Sequence, residues 1–524
     1  MIAVTDAWKD VQQRFILPES HIEIKCSFTE PGAQESAVAS GTSEAVFSRT
    51  DKVTIEGDTS DATKYATNEL NLWALDGSMA ILPNSEPYNG AGYVSNIESS
   101  GSVTLTLPGV RTVPIPGITI TWDDNFGEYP PVFTVTAKNG NTVVAETTIT
   151  DNTEKTCVVE LEMVNYDGVT VTVQNWCLPH RRSRIDKISL GHTLTLTKKD
   201  ILSYTHEQHG DLLSAELPKN SIEFSLNNTD GRWNPSNPTG MEKFLSERQK
   251  LTVRYGLDIN GTIEWIKAGT FYLSEWYAPP NGLEAQFVAR DVFEFLLNVE
   301  NKAAAYDTLA GLASWAASHH FPEGALFDIH ESLNNYGAEY VGDGTAAEIV
   351  QKCANASGCI LRYDREGALH IEPLNTAHSG YFVPLSLSYS HPEISLSKPL
   401  KTVSVDYGED TPYEMSVSAS GETQTVNNSF VSSAEQAEMV AGWVRGILEP
   451  RKTVKGEFRA DPRLDLFDIV TVESKYGVIA PVAITNIKYT FNGSFRGSYT
   501  GRVLEAPTLL GDFILGVSTL GGEV

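Results

Sequence analysis

Apolar and polar residues alternate along most of this chain. Ser102–Leu107, Gly117–Trp122 and Val132–Ala137 each place apolar residues at every second position, the period that turns one face of a strand to a core and the other to water. Asn-Gly or Asp-Gly pairs punctuate such runs at Asn139-Gly140, Asp167-Gly168, Asn260-Gly261, Asn281-Gly282 and Asn492-Gly493. These residues reach positive φ at little cost, so tight antiparallel hairpins are expected.

Helical signals are few. Thr345 to Glu348 reads as a capping box, followed by Ile349, Val350, Cys353 and Ala354 on one face and a stop at Gly358. A second box from Ser432 to Glu435 opens a segment carrying Val440, Trp443, Val444 and Ile447, which Pro450 closes. The Ala-rich stretch from Ala303 to His320, ended by Pro322, is a third candidate. The expected fold class is mainly β and multidomain. A β-rich segment spans 1–82 and a self-contained β-sandwich 83–191. One β unit follows over 192–300, a small α+β domain over 301–375, a second β unit with one helix over 376–505, and an apolar tail over 506–524.

The two late β units resemble each other. Leu251–Gly256 is similar to Val470–Gly477. A long strand follows each, Thr270–Tyr277 in one and Val482–Phe491 in the other, then an Asn-Gly pair and a strand ending in Arg290 or Arg502. A duplicated β-barrel is the expectation, and three such chains would supply a six-part ring.

Composition narrows the functional classes. The 39 Lys+Arg against 67 Asp+Glu leave a net charge of −28, which argues against a general nucleic-acid or anionic-membrane binder. It leaves open a structure that lets DNA pass without gripping it. The N-terminus lacks a basic start followed by an apolar core, and no run approaches the ~18 apolar residues of a membrane span. Five scattered cysteines, Cys26, Cys157, Cys177, Cys353 and Cys359, fit neither a disulfide framework nor a zinc site, and a reducing cytosol is the expected place of synthesis.

Catalytic signatures are absent: the chain has no Gly-x-Ser-x-Gly elbow, no His-Glu-x-x-His pair and no Walker loop. No cofactor or metal is expected. His206, His209, His319 and His320 read as solvated surface residues, and Asp461, Asp465 and Asp468 as turn formers or surface charge. The basic run from Trp176 to Arg184 sits at a strand entrance, where its arginines are expected to pair with carboxylates. Trp122 with Asp123, Asp124 and Tyr129 is the candidate carbohydrate-binding group, since an aromatic face stacks on sugar C–H groups while polar side chains bond hydroxyls. The competing reading places Trp122 and Trp176 in the core.

Two resemblances organise these readings. Asp211–Pro218, Ile222–Pro235, Thr270–Trp276, Phe287–Asp291, Gly358–Leu369 and Asp461–Val470 together resemble bacteriophage tail hub proteins, which cap the tail tube at the tail tip or baseplate. The likeness covers roughly residues 192–505. It implies a structural virion protein, a homotrimer whose paired barrels form a pseudo-sixfold ring continuing the tail tube. Distal tail, baseplate and tape measure proteins would be its partners, and DNA would pass through its channel.

Gly92–Ser95, Gly117–Trp122 and Arg181–Gly191 resemble galactose-binding-like jelly rolls of the discoidin type, which would make host cell-wall glycan a further partner. The alternatives are a dedicated glycan-binding receptor and a cell-wall-degrading tail enzyme. Leu509, Leu510, Phe513 and Ile514 in the apolar tail are the expected assembly residues, packing on a neighbouring subunit or tail protein.

Overall fold

The computed structural model describes residues 1–504 except 15–18, 29–31, 42–45, 50–52, 55–87, 90–100 and the short loop positions 124–125, 180, 182, 239, 280–281, 298–299, 302–304, 322–324, 340–343 and 409–410. The candidate assembly residues Leu509, Leu510, Phe513 and Ile514 lie outside the described residues, as do Asp124 and Gly92–Ser95. The fold is mainly β. It is organised around one 13-stranded sheet, with a β-sandwich and a helical layer as inserts.

The sheet's strands, in chain order, are β1 (Ser20–Phe28), β2 (His192–Thr197), β3 (Ile201–His209), β4 (Lys219–Asn227), β5 (Lys250–Ile259), β6 (Thr262–Tyr277), β7 (Glu284–Arg290), β8 (His378–Val383), β9 (Glu393–Leu396), β10 (Lys452–Phe458), β11 (Ile469–Ser474), β12 (Gly477–Phe491) and β13 (Phe495–Val503). Their spatial order is β2-β1-β5-β6-β7-β4-β3-β12-β13-β10-β9, with β11 pairing β12 and β8 pairing β11. The two β units expected as barrels are therefore halves of one sheet, and neither half closes on itself by strand pairing among the described residues. The reason is local: the strand that could close the first half, β3, spends its outer edge on β12.

The expected N-terminal segment 1–82 is not one unit. β1 belongs to the large sheet, while Ala33, Ala37 and Val53 pack in the sandwich core. The sandwich is inserted between β1 and β2, which are neighbours paired from Glu23 opposite Thr197 to Phe28 opposite His192. The chain leaves and re-enters at adjacent points, which lets an insert fold around its own core without disturbing the sheet.

One sandwich layer contains strands Gly101–Arg111, Phe133–Asn139, Thr142–Ile149 and Tyr166–Val173, and the other Ile115–Thr121, Thr156–Met163 and Lys187–Leu190. Alternation places Val103, Leu105, Val135, Val169 and Val171 between the layers. One expected turn falls elsewhere. Asn165 takes the positive φ of 55°, while Asp167 and Gly168 lie inside the next strand, after a bulge. The Asp167 carboxylate accepts instead from the backbone N–H of Gly140 at 2.9 Å.

Helices α1 (Asp6–Gln13), α2 (Leu309–Ser318), α3 (Ala346–Ala356) and α4 (Ala434–Leu448) complete the core elements. Thr345 and Glu348 form the expected capping box of α3. The cap of α4 is Ser433 rather than Ser432: its side chain accepts from Gln436 N–H, and the Gln436 side chain returns to Ser432 N–H. The helical segment 301–375 and α4 share a single core, in which Leu312, Val350, Cys353, Leu361, Val440 and Val444 pack together. The proposed boundary near 375 is thus a boundary in sequence and not in packing. α1, which no sequence signal announced, lays Trp8 and Val11 on the core of the large sheet.

Trp122 is fully buried, edge-on to Phe133 at 4.9 Å and to Trp176 at 6.3 Å between ring centroids. Removing a buried Trp side chain costs about 3–5 kcal/mol. Trp122→Ala is expected to lower the opening free energy of the strands between 101 and 173 by that amount in native-state hydrogen exchange. A loss below about 1 kcal/mol would contradict this packing role.

Candidate functional site: the joint between two strand repeats

The sequence similarity between the two β units corresponds to a repeated structure. In chain order β3, β4, β5, β6, β7 and β9, β10, β11, β12, β13 are equivalent, and their spatial orders match: β5-β6-β7-β4-β3 and β11-β12-β13-β10-β9. The registers match too. Tyr272 stands opposite Lys250 and Ala483 opposite Ile469, which pairs Leu251 with Val470 as equivalent residues. Arg290 ends β7 opposite Ser221, and Arg502 lies opposite Thr453 near the end of β13.

The irregularities repeat as well. β6 slips against β7 between Leu273 and Glu275, and β12 slips against β13 between Ile484 and Asn486. Just before β5 and β11, Arg248 and Phe467 have positive φ of 66° and 62°. Their N–H groups donate to the equivalent carbonyls of Leu273 (2.7 Å) and Ile484 (2.8 Å). Positive φ is costly for residues of this size, so its recurrence at matched positions marks one backbone template used twice.

The repeats meet where β3 pairs antiparallel with the C-terminal half of β12: Tyr204 opposite Phe491, His206 opposite Tyr489, Gln208 opposite Ile487 and His209 opposite Asn486. The pairing ends where Gly210 N–H donates to the bulge residue Thr485 at 2.9 Å. A Cβ on Gly210 would stand 2.4 Å from the Phe467 ring, so the close approach requires glycine.

Beneath this joint lies a buried polar network. His206 was expected on the surface and is instead fully buried. Its Nε2 lies 2.8 Å from Asn220 Oδ1 and its Nδ1 2.8 Å from the Tyr255 hydroxyl, which is 2.8 Å from the Tyr204 hydroxyl. With Nε2–H donating to Asn220, Nδ1 accepts from Tyr255 and Tyr255 accepts from Tyr204, which describes a neutral imidazole. Desolvation, with the Arg365 guanidinium also nearby, holds His206 down at about 4. The residues Asp461, Asp465 and Asp468 also belong here rather than to the solvent. Tyr489 donates to the carbonyls of Asp461 and Leu464, Arg365 donates to Pro462 and Leu464, and Gln208 donates to Asp465. The N-terminal amino group meets Asp468, and Ile2 N–H donates to Arg463 O at 2.9 Å. Sequence reasoning missed the group because its members are far apart in the chain; only the repeat hinted that β3 and β12 would meet.

The candidate carbohydrate group is not assembled as expected. Trp122 is core, and Asp123 is buried against Arg184 at 3.8 Å, where it accepts from Phe126 N–H at 2.9 Å. Burial pushes the Asp123 carboxyl up to about 6. Tyr129 is half-buried against the same core. The physical reason is the end of the strand: alternation carries Trp122 inward with Ile118 and Ile120. The basic run does pair with carboxylates, Arg181 with Glu128 at 3.3 Å and Arg184 with Asp123. No metal-binding group of three or more His, Cys, Asp or Glu occurs among the described residues.

No protein-family profile matches the chain, and no curated protein matches its sequence. Among the solved structures it is similar to are tail proteins. A 43 kDa tail protein of prophage MuSo2 from Shewanella oneidensis is 14% identical, over 59% of this chain and 94% of that one, with a TM-score of 0.40. A tail protein from Neisseria meningitidis MC58 is 12% identical, over 60% and 94%, with a TM-score of 0.43. The prophage tail protein gp18 from Listeria monocytogenes EGD-e is 12% identical, over 59% and 91%, with a TM-score of 0.38.

The joint makes stability sensitive to acid. His206 binds a proton more weakly folded (about 4) than unfolded (about 6.5). Its share of stability is therefore complete above pH 6.5 and falls as pH drops toward 4, by roughly 3 kcal/mol over the window. In urea titrations His206→Gln is expected to be less stable than the wild type at pH 7, with the gap narrowing toward pH 4. A gap independent of pH would show that His206 titrates as an exposed residue.

Proposed function

We propose that this chain is a structural protein of a bacteriophage tail tip or baseplate hub, joining the tail tube to the host-contacting apparatus. One observation carries the reading: two equivalent five-strand units lie side by side in one sheet, joined along one edge. Three chains, each bringing two such units, make a six-part ring whose symmetry suits a hexameric tail tube. The six matching stretches between Asp211 and Val470 that resemble tail hub proteins support the same assignment. Distal tail and baseplate proteins bind its outer faces and the tape measure protein enters its channel.

The net charge of −28 supports a channel role, because an acidic lumen repels DNA phosphates and keeps the polymer from sticking during passage. The role is structural rather than enzymatic, and the virion tail tip is its place of action. The sandwich is a peripheral module. Sugar recognition through Trp122 has no exposed ring to use, so glycan binding is not assigned to that residue group.

Native mass measurement of the full chain at micromolar concentration is expected to give three times the mass of one chain, and images of that species an open centre. A monomer at every concentration tested overturns the hub reading. Separately, removing the residues after Glu505 is expected to impair tail assembly in a complementation assay. Normal assembly would exclude a role for Leu509, Leu510, Phe513 and Ile514.

A further inference from the structure

The repeat has a consequence for how one chain meets the next. Inside the chain, the edge strand of the first unit, β3, adds to the far half of the long second strand of the second unit, β12. The equivalent strands are β9, the edge strand of the second unit, and β6, the long second strand of the first. Both carry a free edge. Among the described residues β9 pairs with β10 alone and ends the sheet. β6 pairs with β5 up to Tyr272, and past Leu273 no described strand lies on that side of it.

The inward-facing positions on these edges are apolar, although Glu393 and Glu275 stand beside them. In β3 the inward residues His206 and Gln208 are 0% and 1% exposed. The registers of β3 on β4 and of β9 on β10 make Ile394 and Leu396 their equivalents. These two apolar residues are 44% and 64% exposed, and the whole of β9 faces solvent. On β6, Tyr277 is 63% exposed and Trp276 half-buried. Proteins usually blunt a free strand edge with charge, proline or a cover. Here one free edge presents Ile394 and Leu396, and the other Trp276 and Tyr277.

We propose that β9 of one copy of this chain pairs antiparallel with Ser274–Ala278 of β6 in the next copy, repeating the β3–β12 joint between subunits. The register follows from the intrachain joint: Gln208 opposite Ile487 becomes Leu396 opposite Trp276, and Glu207 opposite Lys488 becomes Ser395 opposite Tyr277. Leu396 then covers Trp276, and the main-chain groups of both edges are satisfied. The contact is head-to-tail, so it closes a ring only when every chain donates one β9 and accepts another. This inference rests on the ring reading and adds the strands, direction and register.

Because Gly210 N–H donates to Thr485 O at the joint, alternation makes Ser395 and Tyr277 a non-hydrogen-bonded pair, whose Cα atoms approach to roughly 4.5 Å and accept a disulfide. The test is the full chain carrying Ser395→Cys with Tyr277→Cys, mildly oxidised and run without reductant. Covalently linked species of up to three chains are expected, reversed by reductant. They should be absent from each single variant and from the shifted pair Ser397→Cys with Tyr277→Cys. A second variant, Leu396→Asp, changes a side chain exposed in the single chain. It is expected to leave the circular dichroism spectrum of the folded chain unchanged and to weaken self-association at least tenfold. Trimers that form without this cross-link, or that tolerate Leu396→Asp, overturn the pairing and leave the hub reading standing. A chain that stays monomeric overturns both.

Discussion

The antiparallel pairing of β3 with β12 is the constraint on which the rest of the structure depends. Without it, two five-strand units would each end in unpaired edges and the two repeats would be separate domains on a linker. With it, a single sheet runs through both, and their inner faces share one hydrophobic core that includes Ile24, Tyr255, Phe271, Ile484 and Tyr489. Gly210 is the residue that permits this, since any side chain there would meet the Phe467 ring.

The inserts respect that constraint. The sandwich enters between β1 and β2, the α2–α3 segment between β7 and β8, and α4 with its small sheet between β9 and β10. Each is spliced between strands of the large sheet, so the strand order common to the repeats is preserved. Where the repeats differ, they differ at their flanks: β1 runs antiparallel to β5, whereas β8 runs parallel to β11. The shared template therefore stops at the five strands, and what surrounds it diverged.

Period-two alternation and Asn-Gly turns made the β content legible, and the likeness of Leu251–Gly256 to Val470–Gly477 revealed the duplication in the correct register. Asn260 and Gly261, both at positive φ, form the expected tight turn. Caps located α3 and, within one residue, α4. The joint was not legible, because pairing between distant strands leaves no local pattern. His206 and Asp465 looked like surface polar residues, since burial of a polar side chain depends on partners supplied by other segments. Trp122 misled for a related reason. An aromatic beside acidic residues at a strand end is compatible with a binding platform or with a buried ring whose neighbours carry the charge, and only the direction of the side chain separates the two.

The two joints, one within the chain and one proposed between chains, use different chemistry at equivalent positions. Within the chain, β3 buries His206 and Gln208 in a polar network that forms as soon as the protein folds, with both His206 ring nitrogens hydrogen-bonded, and such a network favours one register. Between chains the same network would be a liability. Each subunit would expose half of it until assembly, and any imperfect mating would bury a polar group without a partner at a cost of about 1–3 kcal/mol. Ile394 and Leu396 avoid that cost. Exposed in a single chain they lose little, and once covered each contributes about 1.5–3 kcal/mol, while the main-chain ladder sets the register that the polar network sets in the other joint. A repeat that is permanent on one side and assembled on the other has reason to be polar where it is permanent and apolar where it must first be free.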